Sequence, residues 1–308
     1  MSILNLRGII PATVLPMTQD FQPDLKTLES YLDWVVRQGP VALAINVDTG
    51  EGPHLTRQEK HTVLETAVGV ARGRCGVIAG IGGPFTAAAV ECARDAKAAG
   101  ADAIMVFPIP AFLGSPLNPE IPYQYHKAIA QAVDLPMLLF QLQQSMGGVD
   151  YTRDVLCRLL EIDTVVAIKE ASFDALKFVQ TKAILDEAPR RITLLTGNDN
   201  FILHSFILGA EGALIGFGTL ATGLQVRMYQ AAMAHDYDTA FRLSSVLQPL
   251  SDAVFAPPVT DYRVRTKEAL VMLGVLPNAY IRPPMLSLST VGRETVRQAM
   301  IRAGQLKA

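Results

Sequence analysis

Residues 165 to 171 read VVAIKEA, a run of small and β-branched apolar residues interrupted by Lys169. Burying an ammonium without a partner costs several kcal/mol or forces the group to give up its proton. Either the run ends where Lys169 reaches water, or the lysine is desolvated and carries enough free amine to attack a carbonyl. Strand alternation puts Val165, Ala167 and Lys169 on one face. If that face lines the interior of a closed sheet, Lys169 emerges at the mouth among small neighbours.

Other residue types suit a small anionic or hydroxylated ligand. In DTGEG (48–52), the Thr49 hydroxyl and the amides near Gly50 can hold a carboxylate, or can simply shape a turn. Glu51 reads as a structural carboxylate that ties the loop. Asp48 is harder to place. Beside a bound carboxylate its charge would cost about 1 kcal/mol in water and about 4 kcal/mol in a partly dry site. It must turn away, be protonated, or face another group; taking over proton transfer is one such role. Gln141, Gln143 and Gln144 can orient hydroxyls or water but are poor acids and bases. In LLTGNDN (194–200), Asp199 either recognises a hydroxyl or caps the helix of FILHSFIL. His54, His61, His126, His204 and His235 show no metal-ligand spacing and read as surface residues. Cys75, Cys92 and Cys157 read as buried thiols, being neither an even disulfide set nor a metal set. No phosphate loop, nucleophilic triad or metal site is visible, and an imine on Lys169 would itself act as an electron sink, so no cofactor and no metal are expected.

The chain of 308 residues is 50% hydrophobic and 18% charged with a formal net charge of −2, which suits one large globular domain or a domain with an appendage. No basic block suggests nucleic acid, no run of about 18 apolar residues suggests a membrane span, and MSILNLRG lacks a signal-peptide layout. A cytoplasmic protein with a small-molecule ligand is expected.

Eight strand-like runs recur, at 8–15, 41–47, 76–81, 102–108, 136–142, 165–170, 192–197 and 212–217. Amphipathic helical patterns lie between them. In DLKTLESYLDWVVRQG, Leu25, Leu28, Leu32, Val35 and Val36 form one stripe and Gly39 supplies a stop. Thr56 followed by Glu59 reads as a capping box, and a further helix is expected from Thr86 to Gly100. Eight βα units in about 220 residues predict an α/β fold, a TIM (β/α)8 barrel over 1–224. An open doubly wound sheet is disfavoured because no glycine-rich loop follows the first run. Residues 225–308 predict a C-terminal helical extension broken by Pro249, Pro257, Pro258, Pro283 and Pro284.

VVAIKEAS, DTGEG with LTRQEK, LLTGNDN, GAEGALIG (209–216) and RVRTKEALVMLG (263–274) together resemble the dihydrodipicolinate synthase and N-acetylneuraminate lyase family of class I aldolases. The resemblance implies a Schiff base between Lys169 and a 2-oxo acid, and commonly a homotetramer. It implies carboxylate binding at Thr49 and Gly50, polyol binding at Gly197 and Asp199, and backbone contacts from Ile215 and Gly216 near the oxo acid. Departures from the pattern are specific. Phe140 stands at the family tyrosine position and cannot transfer a proton. Ser145 replaces an arginine, Ile109 and Pro110 replace a tyrosine pair, and Asp48 replaces a relay hydroxyl. The expected protein is therefore a Schiff-base lyase, an aldolase or dehydratase, on a small and sugar-derived 2-oxo acid, and not dihydrodipicolinate synthase itself. Asp48, Gln141 or an ordered water must then move the proton. The alternative is a non-catalytic 2-oxo acid binding protein on the same barrel.

Overall fold

The computed structural model describes residues 4–114 and 116–307. Eight strands alternate with helices: β1 (Ile9–Pro11), β2 (Ala42–Ile45), β3 (Gly76–Ile81), β4 (Ala103–Val106), β5 (Met137–Leu142), β6 (Val165–Ala171), β7 (Thr193–Thr196) and β8 (Gly212–Ile215). The helices that follow them are α1 (Leu25–Val36), α2 (Arg57–Ala71), α3 (Thr86–Ala98), α4 (Glu120–Val133), α5 (Arg153–Leu159), α6 (Ala175–Asp186), α7 (Ile202–Ile207) and α8 (Thr222–Met233). From β2 to β8 each strand pairs in parallel with the next, and β1 pairs in parallel with β8. The ring closes where the Val41 amide donates to the Ile9 carbonyl at 3.0 Å and that of Thr13 to Ala44 at 3.2 Å. The architecture is a (β/α)8 barrel.

Two apolar layers follow from the alternation. Ile10, Ile78, Met105, Leu138, Leu195 and Leu214 fill the barrel interior. Ile9, Leu43, Val77, Ile104, Leu139 and Ile168 face the helices. On α1, Leu28, Leu32 and Val35 are buried against this outer layer, each contributing about 1.5–3 kcal/mol. The α2 start is fixed by Thr56, which accepts from the Glu59 amide at 3.2 Å, while the Glu59 carboxylate accepts from the Thr56 amide at 2.7 Å.

The strand alternation expected for β6 is interrupted. Met137 lies opposite Val165 and Leu138 opposite Ala167, so β6 holds one extra residue there. Val165 consequently packs in the outer layer, whereas Ala167 and Ala171 line the interior with Val166 packed against them. A bulge reverses the facing of residues on either side of it. Lys169 keeps the interior register because the bulge lies before it.

Beyond the barrel lie α9 (Tyr237–Val254), α10 (Tyr262–Met272) and α11 (Thr290–Arg302). The expected boundary at 224 falls inside α8, which packs on β1 and α7 and is the eighth barrel helix. Pro249 lies within α9 and does not break it. On α10, Tyr262 to Lys267 are all buried, three cations included. Two further expectations are corrected. His126 is fully buried on α4, where its Nδ1 pairs with the Pro122 carbonyl at 2.7 Å and burial pushes the imidazole down to about 4. Cys157 is exposed. Among the described residues no helix is long and apolar enough to cross a membrane, and no group of three or more His, Cys, Asp or Glu residues could hold a metal ion.

Candidate active site

Lys169 sits near the C-terminal end of β6, opposite Phe140 on β5 and Leu195 on β7. It is half-buried at the barrel mouth. Its Nζ lies 4.3 Å from the centre of the Phe140 ring, and Phe107 meets that ring edge-on at 5.0 Å. The ring face favours the ammonium by about 0.5–2 kcal/mol, and the carboxylates of Asp199 and Asp48 favour it too. Desolvation outweighs the two carboxylates and pulls the amine down to about 8. At pH 7 about one-tenth of it is then free, against about 0.03% for an ordinary lysine. That is the state a carbonyl-attacking amine requires.

Gly197, just beyond β7, makes room for this side chain. A Cβ there would lie 2.5 Å from Lys169 Cε and 2.8 Å from Ala171 Cβ. Asp199 is buried beside the lysine and does not cap α7, whose N-cap is Phe201 with no side-chain bond. Its Oδ1 instead accepts from the Phe217 amide at 2.8 Å, and its carbonyl accepts from Ser251 Oγ at 2.6 Å. Burial pushes its carboxyl up to about 7, against the opposing pull of that amide and of Lys169.

The loop after β2 carries Asp48, Thr49, Gly50 and Glu51. Thr49 and Gly50 are buried, and among the described residues their amides meet no protein acceptor. Gly50 is pressed against the chain, since a Cβ would come within 2.9 Å of the Thr13 carbonyl. Glu51 adopts a left-handed φ of 56° and is fully buried. It accepts from Lys267 Nζ at 2.5 Å and from the Arg282 amide at 3.1 Å, so the loop is tied to the C-terminal extension.

Asp48 escapes repulsion by facing a cation. Arg263 on α10 donates through Nη2 to its Oδ1 at 2.5 Å and through Nε to its carbonyl at 2.9 Å. Tyr262 donates to its Oδ2 at 2.8 Å and lies 3.1 Å from Thr49 Oγ1. Sequence reasoning missed both residues. The available signal was RVRTKEALV itself: Arg263, Arg265 and Lys267 alternate along a helix and leave no polar stripe, so a buried helix must find acceptors for them.

One expected site residue belongs elsewhere. Gln141 points outward from the barrel: its amide donates to Glu170 Oε1 and Thr181 Oγ1, each at 3.1 Å, and its oxygen accepts from the Tyr151 amide. As the neighbour of the inward Phe140 on a strand of period two, it could not also face the mouth. Ile215 sends its side chain into the outer layer, and its carbonyl accepts from the Ala12 amide at 3.0 Å. Gly216 is the member of that pair facing the site, with Tyr262, Phe255 and Thr49 within 3.2–3.3 Å of where its Cβ would be. The walls of the mouth are largely aromatic. Phe255 stacks on Tyr262 at 5.0 Å, Phe173 stands 6.4 Å from Phe255, and Phe107 and Phe173 pack against the interior cluster.

A half-buried lysine with a lowered pKa at the C-terminal face of a (β/α)8 barrel, beside a turn with open amides, marks a lyase of the class I aldolase type. The chain belongs to the family described as the dihydrodipicolinate synthetase family, which matches residues 5–303. It is 33% identical to the 4-hydroxy-tetrahydrodipicolinate synthase of Moorella thermoacetica, over 97% of this chain and 98% of that one. It is 31% identical to the enzyme of that name from Alcanivorax borkumensis, over 98% and 99%. Among solved structures, the chloride-inhibited dihydrodipicolinate synthase of Acinetobacter baumannii complexed with pyruvate superposes with a TM-score of 0.86 at 30% identity, covering 98% of this chain and all of the other. The protein is accordingly a lyase acting on a 2-oxo acid.

Proposed function

We propose that Lys169 forms an imine with the oxo group of its substrate while the amides of Thr49 and Gly50 hold the carboxylate. The reading is supported by Lys169, half-buried against the Phe140 ring at the barrel mouth and with its amine pulled down by desolvation, together with a buried turn whose Thr49 and Gly50 amides meet no protein acceptor among the described residues. The protonated imine draws electrons from the adjacent carbon, so aldol cleavage or loss of a β-hydroxyl can follow without a metal. Reduction with borohydride in the presence and absence of pyruvate, followed by intact mass, tests it. A mass increase that requires pyruvate is expected, and an unchanged mass refutes the imine.

The synthase reaction of the relatives is not the activity we propose. Phe140 carries no hydroxyl, and Ser145, Ile109 and Pro110 replace the other polar and aromatic groups of the family pattern. The substrate tail is set by the mouth. Asp199 is engaged by the Phe217 amide, and the Asn200 side chain donates to the Phe173 carbonyl at 3.2 Å. Phe107 meets Phe140 edge-on, and Phe173 lies near Phe255. An apolar or aryl-substituted 2-oxo acid fits these walls better than the sugar-derived tail expected from sequence. A panel of 2-oxo acids with product analysis decides between the two, and it also separates a catalyst from a binding protein. By resemblance the chain forms a homotetramer; light scattering should then report about four times the chain mass of 33.3 kDa.

A further inference from the structure

Tyr262 opens α10, outside the barrel, yet its phenol is buried between two side chains of the β2 loop. It donates to Asp48 Oδ2 at 2.8 Å and lies 3.1 Å from Thr49 Oγ1. A phenol has one proton, and an ionised carboxylate is the stronger acceptor. The Thr49 hydroxyl is then free to donate its own proton to the phenol oxygen. The result is an ordered chain, from Thr49 O–H to Tyr262 O–H to the Asp48 carboxylate. Its inner end is the buried Thr49, and its outer end is an aspartate whose side chain is 28% exposed. Arg263 fixes that aspartate, Lys267 with Glu51 anchors the same helix to the same loop, and Tyr262 stacks on Phe255.

We propose that Thr49, Tyr262 and Asp48 form a proton wire between the substrate and solvent, with Tyr262 supplying from the C-terminal extension the hydroxyl that Phe140 lacks. The inference rests on the imine reading given under Proposed function. In the protonated imine, the C3–H bond breaks and its electron pair becomes the enamine double bond, neutralising the nitrogen. The C3 proton passes to Thr49 as Thr49 passes its own to Tyr262 and Tyr262 passes its own to Asp48, which releases it to water. No oxidant or co-reactant is needed, and reprotonation runs the chain in reverse. Burial, reinforced by the Asp48 charge, holds the phenol well above its ordinary range, so Tyr262 relays a proton and does not persist as phenolate.

The test separates imine formation from proton transfer. Purified parent protein and Tyr262→Phe, which keeps the ring stacked on Phe255, are incubated with pyruvate in D2O. Deuterium entry into the pyruvate methyl group is followed by NMR, and borohydride-trapped adduct is measured on the same samples. The parent should show both. Tyr262→Phe should keep the adduct within about threefold and lose exchange by about 100-fold or more, the range for a positioned proton-transfer group. Exchange within threefold of the parent overturns the wire, as does a parent that forms adduct without exchange. A parent without adduct overturns the imine reading and the wire with it. If Tyr262→Phe loses adduct or unfolds, Asp48→Asn decides: retained adduct with lost exchange supports the wire, and unaltered exchange overturns it.

Discussion

The reactivity proposed for Lys169 follows from a desolvation that outweighs the pull of the Asp199 and Asp48 carboxylates. Lys267, by contrast, is fully buried and is held by Glu51 and by the Tyr280 carbonyl at 2.7 Å. Peptide mapping after borohydride trapping with pyruvate should therefore place the adduct on Lys169 alone. Lys169→Ala should abolish it, and so should Lys169→Arg, because a guanidinium is not a nucleophile at neutral pH. The rate of trapping should rise with pH and level off above about 8, as the ammonium is titrated. Removing a neighbouring negative charge destabilises the ammonium, so Asp199→Asn should move that midpoint to lower pH; the asparagine oxygen can still accept from the Phe217 amide. A midpoint that stays or moves upward would show that Asp199 is not felt by the amine.

At the scale of elements, β6, the turn after β7 and α10 are held together by contacts that tolerate little change. Gly197→Ala forces a Cβ against Lys169 Cε and Ala171 Cβ. Overpacking of this kind costs about 1–3 kcal/mol. The lysine tip can yield but the Ala171 Cβ cannot, so the variant should fold with a lower thermal midpoint and trap pyruvate at least about tenfold more slowly. Wild-type trapping in Gly197→Ala would mean the floor is softer than it looks. The Glu51–Lys267 pair lies fully inside the protein. Lys267→Met leaves Glu51 buried without its cation and should lower stability by about 3–5 kcal/mol in urea unfolding. Adding Glu51→Gln should recover part of the loss, since the carboxamide no longer needs a counter-charge. No recovery in the double variant would assign the loss to the Lys267 stem.

Over the whole molecule, the barrel of the family is shown, while Phe140, Ser145, Ile109 and Pro110 are the residues on which the proposed departure from the synthase reaction rests. Condensation of pyruvate with aspartate semialdehyde by the purified protein should be absent or about 10²- to 10⁴-fold slower than a typical synthase, the cost of losing positioned proton transfer. Phe140→Tyr alone should not restore it, because Ile109 and Pro110 still stand where the family's tyrosine pair belongs. Rapid formation of the cyclic product would show that Phe140, Ser145 and Pro110 do not exclude the synthase reaction.

The eight-strand period, the α2 capping box and the inward Lys169 were legible in the sequence, because each is written in residues close along the chain. Alternation, helical stripes and caps are local, and a run such as VVAIKEA states its own conflict between burial and charge. Even so, the β6 bulge defeated simple alternation for Val165, since only pairing with β5 reveals an extra residue. Gln141 was misplaced for a related reason: an amide at a strand end looks available until Glu170, Thr181 and the Tyr151 amide are seen to occupy it. His126 looked like a surface residue because nothing local announces the pocket that encloses it. Asp48 posed a question that its own neighbourhood could not answer. Its partners are Tyr262 and Arg263, more than two hundred residues further along the chain. A charge is sensed through space, within a few ångströms and regardless of chain separation. The lysine's place was thus determined by the sequence near it, while only the tertiary structure, by folding α10 over the barrel mouth, decided which groups complete its site.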